Sequence, residues 1–323
     1  MNNIFFFEAF EEERKALISF GAEDLKADFS WKTIQEADFS QPPAPIISVR
    51  TQSAIPVEWA PKLKAILTRS TGFDHLTRYR IAANCPNLPC GYLPLYCNRT
   101  VAEQALTLWM ALARKLPTQI KQFKTFHRDG LTGTEIKHKN LLVIGVGRIG
   151  TEIVKIGRGL GMEVQGIDPI RHLDDLEYVS YEEGAPWADI IAVSMSLNPE
   201  NHGYFTRERL SLVKPGALLV NVARGEFTPL ENIVFAMKAG FLGGVGLDVY
   251  DSETALGPQL RSHSTHSRPD DSPLAYLLNA DNAILTPHNA FNTHEAVLRK
   301  SQQSVQQTRH FLDTGTFIWN IDE

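Results

Sequence analysis

The stretch Leu141-Leu-Val-Ile-Gly-Val-Gly-Arg-Ile-Gly150 decides the fold of this chain. Four apolar residues run directly into a Gly-x-Gly-x-x-Gly pattern, and apolar residues at helical spacing follow it. Such a pattern alone is weak evidence, but here it stands between a predicted strand and a predicted helix, as a phosphate-binding turn requires. Gly145 allows the tight turn, Gly147 lets backbone N–H groups approach a pyrophosphate, and Gly150 lets the helix pack on the strand.

An acidic residue ends the next predicted strand. Asp168 follows Ile167 and lies 18 residues beyond Gly150, near the spacing of about 20 that dinucleotide-binding turns show. A carboxylate there can accept hydrogen bonds from both ribose hydroxyls and repels a 2′-phosphate, which favours NAD over NADP. Arg171 weakens that preference slightly. The alternative is a structural glycine turn with an ordinary acidic strand end, but strand, turn, helix and acid occur in the order that a dinucleotide site needs.

The pattern continues outward from this turn as alternating strands and helices. The predicted strands are Leu141–Ile144, Val164–Ile167, Ile190–Val193, Leu218–Val222, Val245–Val249 and Ala283–Leu285. Short, continuous apolar runs of this kind are typical of parallel strands that are buried on both faces. Six such strands with helical patterns between most of them predict a doubly wound α/β sheet.

A smaller α/β domain is predicted before this sheet. Its apolar runs are Ile4–Phe7, Ile46–Val49 and Ala65–Leu67. A helix from Thr100 to Lys115 leaves this domain, and a helical tail from Thr293 to Thr314 is expected to return to it.

Bulk properties limit the class of protein. A chain of 323 residues suits two domains, and 43% hydrophobic and 21% charged residues are typical of a soluble globular protein. A net charge of −5 gives no electrostatic reason to expect nucleic acid or an anionic membrane as a partner. The apolar start meets Glu8 at once, which indicates a buried strand rather than a signal peptide. Three cysteines without a Cys-x-x-Cys pair indicate reduced thiols in a cytoplasmic protein and no metal site.

Three polar residues follow three later strands. Arg224 comes after Leu218–Val222, Glu253 after Val245–Val249, and His288 after Ala283–Leu285. Because ligands of open α/β sheets bind beyond the carboxyl ends of the strands, we expect these side chains to converge where the nicotinamide lies.

These residue types suit the reduction of a 2-keto acid. A histidine can deliver a proton to the carbonyl oxygen as hydride reaches the carbon. A carboxylate bonded to the imidazole orients it and favours its protonated form, and an arginine binds the substrate carboxylate through its planar fork. We therefore predict His288 as acid/base, Glu253 as its partner and Arg224 as the substrate anchor.

Each of the three residues also has an ordinary structural interpretation. Arg224 could pair with Glu226, Glu253 could be solvated at the border of a loop, and His288 could be a hydrogen-bonded loop residue. Their joint placement at one sheet edge favours the catalytic interpretation.

Four segments together resemble the D-isomer-specific 2-hydroxyacid dehydrogenases. They are Val143–Gly150, Leu219–Glu226, Gly246–Glu253 and Leu285–His288. The resemblance implies two Rossmann-like and flavodoxin-like domains, each a doubly wound parallel sheet, with a cleft between them. It implies a discontinuous substrate domain of residues 1–99 plus 293–323, an NAD-binding domain of residues 100–292, and a homodimer built through the latter.

The resemblance also implies individual roles. The corresponding Arg, Glu and His form the family's catalytic set, and Asp248 takes the position of an acid near the nicotinamide carboxamide. Leu67–Asp74 looks like the loop whose backbone binds the substrate carboxylate, which points to Ser70, Thr71 and Gly72. Tyr96 resembles a substrate-facing tyrosine of lactate-type members. The expected cofactor contacts are Gly145, Gly147, Arg148, Ile149, Gly150, Asp168, Val222, Ala223, Arg224, Asp248 and His288.

The resemblance leaves the substrate open. Ala290-Phe291 and Tyr96 favour a small unphosphorylated 2-keto or 2-hydroxy acid. The alternatives are an NADH-sensing, corepressor-like scaffold and a phosphite-type dehydrogenase on the same fold. The polar stretch from Ser252 to Ser272 is predicted to be a surface insertion, and the His-x-x-His spacing of His263 and His266 within it is not expected to bind metal.

Overall fold

The chain forms two compact units. A computed structural model describes residues 2–251, 253, 256, 257, 260 and 272–321. Among these, unit 1 contains residues 2–97, 256, 257, 260 and 292–321, and unit 2 contains residues 98–251, 253 and 272–291. Most of the predicted insertion, with His263 and His266, lies outside the described residues.

Unit 1 is built on a five-stranded parallel sheet. Its strands are β1 (Ile4–Phe6), β2 (Ala27–Phe29), β3 (Ile46–Val49), β4 (Ala65–Thr68) and β5 (Cys90–Gly91), in the order β2-β1-β3-β4-β5. All residues of β3 and β4 are buried, because helices cover both faces of such a sheet. This strand order is that of flavodoxin-like folds.

Several helices of unit 1 have bounds within the described residues. They are α1 (Glu11–Ser19), α2 (Ile34–Ala37), α3 (Asp74–Ala82) and α11 (His294–Thr314), the helix of the predicted C-terminal tail. The Thr293 side chain caps α11 by accepting a hydrogen bond from the backbone N–H of Ala296, and Gly315 ends it with a φ of +79°. Helix α11 packs against α1.

Unit 2 is built on a seven-stranded parallel sheet. Its strands are β6 (Asn140–Ile144), β7 (Glu163–Ile167), β8 (Glu177–Tyr178), β9 (Ile190–Val193), β10 (Ala217–Asn221), β11 (Leu242–Leu247) and β12 (Ala283–Leu285). The order is β12-β11-β10-β9-β6-β7-β8. The direction of winding reverses between β6 and β9, and the Gly-rich turn follows β6 at this switch point. Open α/β sheets bind ligands at such a point.

The helices of unit 2 cover this sheet. They are α4 (Asn98–Ala113), α5 (Leu116–Gln122), α6 (Arg148–Gly159), α7 (Tyr181–Trp187), α8 (Arg207–Ser211), α9 (Leu230–Lys238) and α10 (Pro273–Asn279). Buried residues of β6, β9, β10 and β11, among them Leu142, Ile191 and Leu219, form one apolar core with α9. None of the helices in the described ranges combines the length and apolar character that crossing a membrane requires.

The prediction of two α/β units with parallel sheets is confirmed, and the differences lie at its margins. Strands β2, β5 and β8 were not predicted, because they have only two or three residues and lack a continuous apolar run. The sheet of unit 2 therefore has seven strands rather than six. The helix predicted to end at Lys115 ends at Ala113, since Lys115 has a left-handed φ of +52°.

The packing of α6 generates a stability prediction. A Cβ at Gly150 would overlap the backbone oxygen of Gly145, whereas nothing lies within 4 Å of a Cβ at Gly159 on the same helix. We expect Gly150→Ala to lower the free energy of unfolding by about 3 kcal/mol, the upper part of the usual overpacking range.

Gly159→Ala is the matched control. It should leave stability unchanged or raise it by up to about 1 kcal/mol, because alanine favours helix. Urea unfolding followed by circular dichroism measures both variants, and equal midpoints for the two would contradict the assignment of a close contact at Gly150.

Candidate functional site

The Gly-rich turn lies between the carboxyl end of β6 and the first residue of α6. Gly145 has a φ of +90°, and a side chain there would overlap the backbone of Met195, so both conformation and space require glycine. Gly147 is the residue before α6. No described atom lies within 4 Å of the position that a Cβ on Gly147 would take. The turn therefore leaves open space beside the backbone N–H groups that begin the helix.

Asp168 lies beside this turn. Its Oδ2 accepts a hydrogen bond from the N–H of Val146 at 2.7 Å, and its Oδ1 accepts one from the N–H of Ile170 at 2.9 Å. The carboxylate is thereby fixed against the turn and is only partly buried. Each carboxylate oxygen can accept a second hydrogen bond, so the backbone contacts leave capacity for a ribose.

The first turn of α6 completes an anion-binding arrangement. Arg148 is exposed, Ile149 is partly buried, and the first turn contains no acidic residue. The N-terminus of a helix attracts negative charge through its unpaired N–H groups and its dipole. Val222 and Ala223 lie buried directly after β10. The open space at Gly147, the cationic helix start and the acid at 168 together fit a dinucleotide.

The three predicted polar residues follow adjacent strands. Arg224 follows β10, Glu253 follows β11 and His288 follows β12, and these three strands are neighbours in the sheet. Because the strands are parallel, their carboxyl ends lie at one edge, the edge that also carries the Gly-rich turn.

Glu253 and His288 form a direct contact. Nδ1 of His288 lies 2.6 Å from Oε2 of Glu253, and each side chain is 17% exposed. Oε1 of Glu253 accepts a hydrogen bond from the N–H of Tyr250 at 2.9 Å. Burial alone would raise the pKa of Glu253, but the charge and hydrogen bond of His288, with further help from Tyr250 and the positive charge of Arg224, lower it. The carboxylate is therefore ionised at neutral pH, and it occupies Nδ1 of the imidazole.

Asp248 holds the loop that carries His288. Its side chain is fully buried and accepts hydrogen bonds from the Thr286 hydroxyl at 2.5 Å, the Asn289 N–H at 2.9 Å and the Ala290 N–H at 2.8 Å. Burial raises the pKa of Asp248, although the charge of His288 and these hydrogen bonds favour its ionised form. His288 has a φ of +50°, an unfavourable conformation for histidine that surrounding contacts must maintain.

Two positioning residues were missed by the sequence analysis. Asn221, fully buried at the end of β10, donates to the carbonyl of Arg224 at 2.8 Å and accepts from the N–H of Ala223 at 3.0 Å. The Tyr250 hydroxyl lies 2.8 Å from the Leu247 carbonyl and 2.9 Å from the Thr286 carbonyl. A polar residue at the end of a buried strand is the signal that could have found Asn221. Tyr250 gave no signal that distinguishes it from a core aromatic.

Gly225 accounts for the close packing of two of these loops. A Cβ on Gly225 would overlap the backbone carbonyl of Tyr250. The backbone after Arg224 therefore lies against the segment that leads to Glu253, and a larger residue at 225 would separate them.

The remaining predicted residues lie in unit 1. The Ser70 hydroxyl is 2.6 Å from the Thr68 hydroxyl and 2.7 Å from the Gly72 carbonyl, and the Thr71 hydroxyl donates to the Leu93 carbonyl at 3.2 Å. These contacts order the loop after β4. Tyr96 is 3% exposed, and burial raises its pKa well above the ordinary value, so the phenol stays protonated.

Metal binding has no support in the described part of the chain. No group of three or more His, Cys, Asp or Glu side chains there is arranged to hold a metal ion. Cys85, Cys90 and Cys97 are free thiols, and burial raises the pKa of each.

Comparison with known proteins adds independent findings. The chain is 31% identical to a D-lactate dehydrogenase of Staphylococcus epidermidis over 261 residues, covering 79% of this chain and 77% of that protein. It is 28% identical to an aromatic 2-oxoacid reductase of Clostridium sporogenes over 263 residues, with the same coverage. The structure of D-lactate dehydrogenase from Aquifex aeolicus, complexed with NAD and lactic acid, matches with a TM-score of 0.84 at 26% identity and covers 98% of this chain and 99% of that one.

A family model matches more than half of the chain. Residues 106–290 match the NAD-binding domain of the D-isomer specific 2-hydroxyacid dehydrogenases. The resemblance seen in the sequence and the expectation of NAD are thereby confirmed. This chain belongs to the D-isomer specific 2-hydroxyacid dehydrogenases and is an NAD-dependent oxidoreductase of that family.

Proposed function

We propose that the protein reduces a small, unphosphorylated 2-keto acid to the D-2-hydroxy acid, or catalyses the reverse oxidation, with His288 as acid and base. The observation that carries this proposal is the 2.6 Å contact between Nδ1 of His288 and Oε2 of Glu253. A carboxylate at that distance fixes the ring orientation and stabilises the imidazolium, so that Nε2 is the proton-carrying atom that faces the substrate.

Each residue of the set has a separate task. Nε2 of His288 gives its proton to the keto oxygen and recovers it in the reverse direction. Ionised Glu253 stabilises the positive charge that the ring carries before it gives the proton and after it recovers it. Arg224 binds the substrate carboxylate and polarises the carbonyl, since its guanidinium suits paired oxygen acceptors. When bound, NADH supplies the hydride.

Cofactor contacts are assigned to residues that fit them. The backbone of Gly145, Gly147 and the first turn of α6 is proposed to hold the pyrophosphate, and Asp168 to hold the adenosine ribose. Asp248 is proposed to act mainly through the loop of His288, because hydrogen bonds from that loop use three of the roughly four acceptor sites of its carboxylate. Its predicted contact with the nicotinamide carboxamide stays a prediction.

The substrate class is proposed from the residues after His288 and from the relatives. Ala290 and Phe291 are 4% and 8% exposed and bring no positive charge for a phosphate. The relatives are named for lactate and for aromatic 2-oxoacids. Ser70, Thr71, Gly72 and Tyr96 are proposed to contribute the substrate contacts of unit 1.

A substrate panel tests this proposal. It contains pyruvate, glyoxylate, hydroxypyruvate and phenylpyruvate, with phosphite as an oxidisable alternative, and the reaction is followed at the NADH absorbance band. If the protein reduces none of these keto acids, the proposal is rejected.

We further propose that the protein is a cytoplasmic homodimer formed through unit 2. Four large apolar side chains around α5 are exposed: Leu116, Ile120, Phe123 and Phe126, the last two by 74% and 77%. Large exposed apolar side chains that lie close together in sequence favour an interaction surface. The family resemblance implies a second copy of this chain as its occupant.

The first prediction from the proposed function concerns His288. We expect His288→Asn to lower kcat by about 10² to 10⁴, the usual contribution of general acid–base catalysis, while NADH binding measured by fluorescence titration changes less than twofold. Asparagine is chosen because it tolerates the left-handed backbone at this position.

His138→Asn is the matched control, because His138 also has a positive φ, +61°. Its side chain is exposed, and it is distant in sequence from the residues that follow β10, β11 and β12. It should keep full activity. An unchanged kcat for His288→Asn would remove this residue from the mechanism.

The second prediction concerns the choice between NADH and NADPH. We expect Asp168→Asn to raise the ratio of kcat/KM for NADPH to that for NADH about tenfold, which corresponds to about 1.4 kcal/mol. The amide removes the charge that repels a 2′-phosphate but keeps an oxygen that can accept from Val146. Asp174→Asn, an exposed residue of the following loop, is the control, and an equal ratio in both variants would refute the role of Asp168.

The third prediction concerns the exposed patch around α5. We expect Phe123→Glu to convert a dimer into a monomer in light scattering coupled to size exclusion, because a charge cannot be buried there without a partner. Ile81→Glu, at a side chain 76% exposed on α3 of unit 1, should leave the mass unchanged. A wild-type monomer, or a dimeric Phe123→Glu, would contradict the assignment.

A further inference from the structure

A buried ion cluster in unit 1 lies outside the proposed catalytic set. Glu13 on α1 accepts contacts from two cations: Arg69 Nε is 2.8 Å from Oε1, and Lys300 Nζ is 2.9 Å from Oε2. The three residues are 3%, 0% and 1% exposed, respectively. Three charged side chains have thus been taken completely out of water at the meeting of α1, β4 and α11.

Glu13 is ionised in this cluster. Burial alone would raise the pKa of its carboxyl, but the positive charges of Arg69, Lys300 and Arg50 lower it to about 2. Burial lowers the pKa of Lys300 to about 8, with Glu13 opposing and Arg50 and Arg69 reinforcing that shift. At neutral pH the cluster therefore contains a carboxylate between two cations.

Arg69 uses its whole guanidinium to join strand ends. Besides Glu13, it donates to the Ser48 hydroxyl at 3.0 Å and to the Phe7 carbonyl at 2.5 Å, and its backbone N–H donates to the Val49 carbonyl at 2.8 Å. The side chain thereby ties the carboxyl ends of β1 and β3 to the residue that follows β4. Removal of one ion from such a buried set leaves the other charge without compensation.

Arg69 directly precedes the loop Ser70–Gly72. Two hydrogen bonds order that loop further along. The Ser70 hydroxyl donates to the Gly72 carbonyl at 2.7 Å, and the Leu93 N–H donates to the Ser70 carbonyl at 3.1 Å. The amino end of the loop, however, is fixed by the Arg69 side chain. A buried salt bridge often stabilises a protein no better than apolar residues of the same volume. We therefore expect the Glu13–Arg69 pair to matter mainly because it fixes the orientation of the Arg69 side chain.

We propose that Glu13 is a positioning residue for substrate binding: by holding the Arg69 guanidinium, it fixes the backbone of Ser70–Gly72 in the conformation that binds the substrate carboxylate. The inference rests on the proposed function, which assigns that loop to the substrate. Lys300 has a different task. It neutralises the second oxygen of Glu13 and ties α11 to α1.

The test compares Glu13→Gln with Glu11→Gln. Both residues lie on α1, but Glu11 forms only an exposed pair with Lys15, with side chains 75% and 73% exposed. We expect Glu13→Gln to raise KM for the keto acid at least tenfold, with KM for NADH within twofold of wild type. Hydrogen exchange of the peptide spanning residues 66–76, measured without substrate, should become faster. Glu11→Gln should behave as wild type in all three measurements.

Lys300→Met separates positioning from general stability. It leaves Glu13 paired with Arg69, so we expect a lower urea midpoint with an unchanged KM for the keto acid. If Glu13→Gln does not fold, Arg69→Lys, which keeps the charge but loses the fork, is measured in the same way and should show the same rise in KM.

Two results would overturn the inference. One is an unchanged KM and unchanged exchange at residues 66–76 in the folded Glu13 or Arg69 variant. The other is a parallel rise of KM in Lys300→Met, which would reduce the cluster to a stabilising contact. A third result, in which the wild type reduces no keto acid, differs from these two because it concerns the wild type and not the variants. It would reject the proposed function, while the exchange measurement would still decide whether Glu13 orders the loop.

Discussion

The arrangement of the candidate site depends on one buried carboxylate, that of Asp248. A parallel sheet brings the ends of β10, β11 and β12 to one edge, but it does not determine the conformation of the loops that follow. Asp248 does so for the His288 loop through three hydrogen bonds, and these maintain a histidine in the left-handed region. A residue in this sparsely populated region persists only where surrounding contacts maintain it.

The two units use buried polar groups in a similar way. Asn221 and Asp248 order the loops after two strands of unit 2, and Arg69 orders the loop after β4 in unit 1. In each case a side chain at the carboxyl end of a parallel strand satisfies backbone groups that a loop leaves unpaired. In this protein the loops after the strands are therefore fixed by side chains that belong to the rigid sheet edge.

The sequence predicted the long strands, the Gly-rich turn and the contact between Glu253 and His288, because each leaves a local pattern or follows a strand end. It did not predict strands β2, β5 and β8, whose pairing depends on neighbours distant in the chain. It also gave no hint of the Glu13–Arg69–Lys300 cluster, since those residues are 56 and 231 positions apart along the chain and stand in patterns typical of exposed helices or loops. Buried polar networks are tertiary features, and no periodicity records them.

The place of α11 in unit 1 has a consequence for synthesis on the ribosome. Every residue of unit 2 precedes α11 in the chain, so that sheet can close while translation is still under way. Unit 1 is begun first but cannot bury Glu13 against Lys300 until the last helix has emerged. Its nascent first half can pair Glu13 with Arg69 but still lacks Lys300, and the order of maturation runs opposite to the order of translation.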